Sequence, residues 1–281
     1  MLRRGDGRTM AHRHLGQGPP IVCLAGGPGA DARYLEDLGG LDRDYELIVP
    51  DSRGTGDSAP PLTVAGHGFD VLGRDVEALR GHHDLEKMTV LAHSAACTTA
   101  LVYAAAHPNR LSALILVAPS RWLYDDIEDD TKAILDGRSG EPWYPSAVAA
   151  QARLGEAPSP GEIDDLLTAL APASYAHWGE REQAHAAMMQ PASWDTVRLF
   201  WQASVDGDKV RARLRLVEAP VLVITGGLDA ATGVNAGVAW AKCFTNGRHR
   251  NIAECGHIPW VDQPEIFAGL VREFLASLGG P

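Results

Sequence analysis

The chain has 281 residues, a formal net charge of −11 and 45% hydrophobic residues, with 30 glycines and 18 prolines. That length suits one large α/β domain or a core domain carrying an insert, with ample apolar surface for a core. The acidic balance, without any basic cluster, argues against nucleic-acid binding, and no apolar run approaches the roughly 20 residues that a membrane helix needs.

The opening stretch, MLRRGDGRTMAHRHLG, is basic but lacks the apolar segment of a signal peptide, so a cytoplasmic protein is expected. His12 and His14, like His82 and His83 further on, come without the carboxylate or cysteine pattern of a zinc site and read as surface residues. Cys23, Cys97, Cys243 and Cys255 are scattered, with no C-x-x-C pair, and read as reduced and mostly buried thiols. No metal and no cofactor are expected.

Residues 20–26 (PIVCLAG) and 45–51 (YELIVPD) are apolar runs bounded by Gly and Pro and read as strands. Residues 69–83 carry Val71, Leu72, Val76 and Leu79 at helical spacing. A strand follows at 87–92, a helix at about 95–107 closed by Pro108, and a strand at 111–119. The pattern breaks at Pro119 and resumes near Leu216 with a strand at 219–227, a helix at 235–244, a strand at 248–255 and an amphipathic helix at 264–278. Strands alternating with helices predict a mostly parallel sheet covered by helices on both faces. The core is then expected to span 1–118 and 216–281. Residues 119–215, helical in pattern and holding Trp122, Trp143, Trp178, Trp194 and Trp201 among the chain's seven tryptophans, are expected to form an inserted helical cap over the carboxyl edge of the sheet, where ligands of open α/β sheets bind. The tryptophans are either the core of that insert or the lining of an apolar pocket.

Ser94 lies between a strand and a helix, in the frame Ala92-His93-Ser94-Ala95-Ala96. A strand-to-helix turn that exposes a nucleophilic serine has room only for small residues two positions either side, and alanines satisfy that sterically. By itself the stretch reads equally well as a serine near a helix N-terminus. Catalysis also needs a base and an acid, which follow the serine in that order on loops at the carboxyl ends of later strands. Asp229 follows one such strand and His257 the next. His257 would take the Ser94 proton while Asp229 fixes its tautomer. The Ala95 amide, at the start of the helix, and the Gly27 amide, in the loop AGGPG, are the candidate oxyanion-hole donors.

With AGGPG, DSRGTGDS, the serine turn, GGLD and CGH in view, the chain resembles the α/β-hydrolase superfamily and, within it, the prolyl-iminopeptidase-like branch. The resemblance spans nearly the whole chain and implies metal-free, two-step hydrolysis through an acyl-enzyme on Ser94. Asp51, Arg53, Gly54 and Gly56 are expected to brace a loop. Ala25 stands where the branch has a histidine before its glycine pair, and no tryptophan follows Ser94. Peptidases of the branch hold the substrate's free α-amine with cap glutamates, which suggests Glu180 and Glu182, with Trp178 beside them, as substrate-binding residues.

The leading expectation is a serine hydrolase acting on an amide of a small molecule or short peptide, removing an N-terminal aminoacyl group. The alternative keeps the triad in an esterase, thioesterase or acyltransferase for a hydrophobic metabolite, and a third reading is a hydrolase fold used only for binding. A monomer and a homodimer are both compatible with the sequence.

Overall fold

The computed structural model describes residues 1–156, 159–189, 197, 200 and 204–279. Its centre is a sheet built from β3 (His12–Leu15), β4 (Pro20–Leu24), β5 (Glu46–Pro50), β6 (Met88–His93), β7 (Leu111–Val117), β8 (Val221–Gly226) and β9 (Gly247–Ile252), in the order β3-β5-β4-β6-β7-β8-β9. All neighbours are parallel except β3, which pairs antiparallel with β5 at the edge. Two short strands, β1 (Leu2–Arg3) and β2 (Thr9–Met10), pair separately. The sequence reading anticipates β4 to β9 but not β1 to β3. The polar HRHL of β3 carries none of the apolar signal of a buried strand, because an edge strand need not be buried.

Side chains of successive strand residues point to opposite faces, and the apolar core divides accordingly. Val22 and Leu24 of β4, Val90 and Ala92 of β6, Leu114 and Leu116 of β7, and Val221 and Val223 of β8 belong to one buried cluster. Ile21, Cys23, Leu91, Ile115, Val117, Leu222 and Ile224 belong to the other. The first face is covered by α1 (Phe69–His82), which buries Phe69, Leu72, Val76 and Leu79, and by α2 (Ala96–Ala106). The alanine-rich α2 is buried nearly throughout, and that suits a helix wedged between a sheet and another helix. The amphipathic reading at 264–278 corresponds to the C-terminal helix Pro264–Ala276, which covers the other face with Phe267, Ala268, Val271 and Phe274. Each such large apolar side chain, fully buried, contributes about 1.5–3 kcal/mol.

Between β7 and β8 the described chain runs through α3 (Thr131–Asp136), α4 (Tyr144–Leu154), α5 (Pro160–Leu170), α6 (Glu180–Met188) and α7 (Gly207–Leu214). Polar ties anchor this segment. Asp130 accepts from the amides of Val234 and Asn235 at 3.0 and 3.2 Å, and Asp262 accepts from the amides of Ala176 and Gly256 at 3.0 and 2.7 Å. Trp122 packs on Phe69 and Trp143 lies under the Arg138 guanidinium. Trp194 and Trp201 lie outside the described residues. The four cysteines are free and buried. Among the described residues no helix is long and apolar enough to cross a membrane.

Candidate active site

The serine turn forms where β6 ends and α2 begins. Ser94 has φ 53°, a left-handed conformation that a side chain adopts only at a cost. The surroundings hold it there: its amide donates to the Val117 carbonyl at 2.9 Å, and its own carbonyl accepts from the Cys97 amide at 2.9 Å. Gly26 faces the same turn. A Cβ there would stand 2.7 Å from the His93 carbonyl oxygen and 2.9 Å from the Ser94 Cβ, so only glycine lets the two loops approach this closely.

Loops after the carboxyl ends of β8 and β9 bring the other two groups in. His257 Nε2 is 2.9 Å from Ser94 Oγ, and His257 Nδ1 is 2.9 Å from Asp229 Oδ2. Asp229 is wholly buried. Its carboxylate also accepts from the Ala231 and Thr232 amides, at 2.8 and 3.1 Å, and from the Thr232 hydroxyl at 2.6 Å. Burial pushes this carboxyl up, but the His257 imidazole and the Thr232 bonds outweigh it and hold Asp229 below the usual carboxylate range. As a carboxylate it can only accept, so Nδ1 of His257 carries the proton and Nε2 presents its lone pair to Ser94. The His257 amide in turn donates to the Ser174 carbonyl at 2.7 Å, tying the histidine loop to the segment between β7 and β8.

Residues that the sequence reading missed complete the support. His93 is fully buried beside Ser94, with Nε2 3.0 Å from the His257 carbonyl oxygen and Nδ1 2.7 Å from the Tyr34 hydroxyl. A carbonyl only accepts, so His93 carries its proton on Nε2, and Nδ1 accepts from Tyr34. The Tyr34 oxygen accepts from the Gly26 amide at 2.7 Å. Burial, and then the neighbouring His257, hold His93 well below the ordinary histidine range and hence neutral. One chain of bonds thus joins the glycine loop, the serine turn and the histidine loop. A second repeats the pattern: the Tyr175 hydroxyl is 2.8 Å from His185 Nδ1, and His185 Nε2 is 2.7 Å from the Tyr34 carbonyl oxygen. The signal for the first was present in the sequence, because a histidine ending an apolar strand must find partners there.

Ser94 and His257 open into a cavity of about 430 Å³ bordered by Gly27 and Ala95 and walled by Leu167, Ala171, Tyr175, Ala186 and Met189. Glu180, Glu182 and Trp178, suggested as substrate-binding residues, are not among the residues lining this cavity. Glu180 is exposed at the start of α6. Glu182 accepts from the Gly179 amide at 2.8 Å, closing the first turn of the helix, and Trp178 packs on Tyr175. An amphipathic helix presents its acids to solvent, as Glu180 does, while Glu182 is half-buried at the helix start. In the DSRGTGDS loop, Arg53 is buried against Asp75 at 2.5 and 2.7 Å and Asp6 at 2.8 Å, a bracing arrangement.

The model of the alpha/beta hydrolase fold matches residues 19–264. RutD of Cronobacter sakazakii, provisionally named a carbamate hydrolase, is 27% identical over 265 residues, covering 92% of this chain and 91% of that one. A proline iminopeptidase of Heyndrickxia coagulans is 22% identical over 280 residues, covering 94% and 92%. The crystal structure of the esterase RhEst1 from Rhodococcus sp. ECU1013 superposes with a TM-score of 0.76 at 23% identity, over 99% of this chain and 98% of that one. The matched span takes in the whole parallel sheet and all three residues of the Ser94–His257–Asp229 array, and the chain belongs to the α/β-hydrolase fold family.

Proposed function

We propose that this protein is a serine hydrolase that cleaves an ester or amide of an uncharged, largely apolar acyl group, through an acyl-enzyme on Ser94. Ser94 Oγ adds to the substrate carbonyl carbon while His257 Nε2 takes its proton, and Asp229 stabilises the resulting imidazolium. The carbonyl oxygen becomes an oxyanion facing the Ala95 and Gly27 amides, each such donor being worth about 2.7–4 kcal/mol in the transition state. The tetrahedral intermediate then expels its alcohol or amine, which leaves with the proton from His257. Water, deprotonated by the same histidine, repeats the sequence and frees the acid and Ser94.

The observation that carries the acyl preference is the lining of the cavity. Its described side chains are apolar or neutral, with Ser120, Ser174, Tyr175 and Thr232 as the polar ones beside the catalytic pair. Among the described lining residues no side chain offers a counter-charge to a free ammonium group, whose desolvation there would be costly. The helical segment between β7 and β8 serves as the cap that sets the substrate, a small molecule or short peptide. The resemblance to proline iminopeptidases favours a second reading, removal of an N-terminal aminoacyl group. A panel of short p-nitrophenyl esters, N-blocked anilides and free-amine aminoacyl p-nitroanilides separates the two. Turnover of the esters and blocked anilides at least tenfold above the free-amine anilides is expected (about 1.4 kcal/mol of discrimination). Activity confined to the free-amine anilides would overturn the neutral-acyl reading in favour of the second.

A further inference from the structure

Away from the serine, at the antiparallel edge of the sheet, four imidazoles that the sequence separates by about 70 residues come together. His12 and His14, two apart on β3, point to the same face of the strand, and His82 and His83 stand at the C-terminal end of α1. The His12 ring lies 5.3 Å from that of His14, 5.4 Å from that of His82 and 5.1 Å from that of His83, and the His14 and His83 rings are 5.2 Å apart. One ring nitrogen from each of His12, His14 and His83 falls within 4.8 Å of the others.

We propose that His12, His14 and His83 form a binding site for a borderline transition-metal dication of the zinc class, which staples the edge strand β3 to the end of α1. Two further observations point to a ligand. His12 Nδ1 and His83 Nε2 are buried nitrogens without a hydrogen-bond partner among the described residues, the state of donor atoms awaiting an acceptor of their lone pairs. His14 Nδ1 is 2.9 Å from the Glu46 carboxylate, which fixes that ring and leaves Nε2 for an ion, as in carboxylate–histidine–metal triads. That carboxylate is what the sequence pattern lacks: Glu46 reaches the cluster because β5 pairs with β3, not through any local spacing.

Imidazole sites select zinc, copper, nickel or cobalt over magnesium and calcium. Nitrogens on a tetrahedral ion at about 2.0–2.1 Å sit about 3.3 Å from one another, so the ring nitrogens, now within 4.8 Å, close in by up to about 1.5 Å. His82, whose ring is 5.1 Å from that of His83, is the neighbouring fourth imidazole. The half-exposed His14 gives an ion access from solvent.

The test uses the full chain stripped with a chelator. Calorimetric titration with Zn²⁺ is expected to give one ion per chain, and Co²⁺ is expected to develop the visible d–d bands of a low-coordinate nitrogen site. The double variant His12→Ala/His83→Ala should lose the bands and bind Zn²⁺ at least 100-fold more weakly, while Glu46→Gln, which removes only the outer carboxylate, should cost about 10- to 100-fold. The single variant His14→Ala, at a half-exposed position, repeats the test if the double variant does not fold, and should abolish the cobalt bands. Thermal midpoints should rise with Zn²⁺ in the wild-type chain and not in the variants. An absence of saturable Zn²⁺ binding, or the same affinity in the wild-type chain and the folded histidine variants, would overturn the proposal.

Discussion

At the scale of single residues, Ser94 stands out because its backbone, its proton acceptor and its neighbour His93 are each held by a different element. The bond from His257 Nδ1 to Asp229 selects the tautomer that leaves Nε2 a base. Asp229→Asn keeps the shape but removes that selection, so kcat should fall by about 10⁴ with folding intact. A steady-state assay beside a matched circular dichroism spectrum checks this, and a loss below tenfold would speak against Asp229 as the orienting group. Tyr34→Phe leaves His93 Nδ1 and the Gly26 amide without their partner. Stability should drop by about 1–3 kcal/mol, the cost of unsatisfied buried polar groups. Because the lost bonds position the histidine loop and the glycine loop without touching substrate, kcat should fall while KM stays nearly constant. An unchanged kcat would mean that the relay only packs.

At the scale of elements, the serine turn and the glycine loop act as one unit. Gly26→Ala would drive a methyl group into the His93 carbonyl and the Ser94 Cβ. Activity should be lost while the sheet remains, seen as a native far-ultraviolet spectrum with little turnover. Wild-type activity in this variant would contradict the close approach. This unit was readable from sequence, since Ala92, Ala96 and the glycines report the tightness of a turn directly. Strands β4 to β8 were readable as well, because doubly covered parallel strands must be apolar runs, whereas β9 is a polar strand at the sheet edge. The helices between β7 and β8 were not readable in the way that matters for binding. Helical spacing reveals an apolar face but not what that face meets: Glu180 and Glu182, suggested by the family resemblance, are not among the residues lining the cavity, whose wall comes from Leu167, Ala171, Tyr175, Ala186 and Met189. The histidine cluster was invisible for a related reason. His12 and His14 share a face of a strand that polar HRHL does not announce, and their partners arrive from a distant helix and a neighbouring strand.

At the scale of the whole molecule, buried histidines make folding depend on pH. His93 and His185 are wholly buried, and burial lowers both from the ordinary value of 6.5. Below pH 6.5 the unfolded chain therefore binds protons that the folded chain refuses, so stability is full above that pH and declines as the pH falls through it. Each group contributes up to about 1.4 kcal/mol per pH unit. Asp229, held below its usual range, adds a separate loss only at more acid pH, beneath the carboxylate value of 3.8. Urea midpoints above and below pH 6.5 measure this; a midpoint unchanged across that window would contradict neutral buried histidines. The buried Arg53, shared by Asp75 and Asp6, ties the DSRGTGDS loop to α1 and to the N-terminal residues. Arg53→Met strands those carboxylates and should cost about 3–5 kcal/mol in the same unfolding experiment.

The central claim, that Ser94 is a nucleophile activated by His257, is tested most directly by intact-mass analysis after reaction with an active-site fluorophosphonate. One adduct per chain, mapped to Ser94, absent from Ser94→Ala and strongly slowed in His257→Ala, is the predicted result. A folded wild-type chain that takes no label, or a Ser94→Ala chain that is labelled as fast as the wild type, would contradict the account.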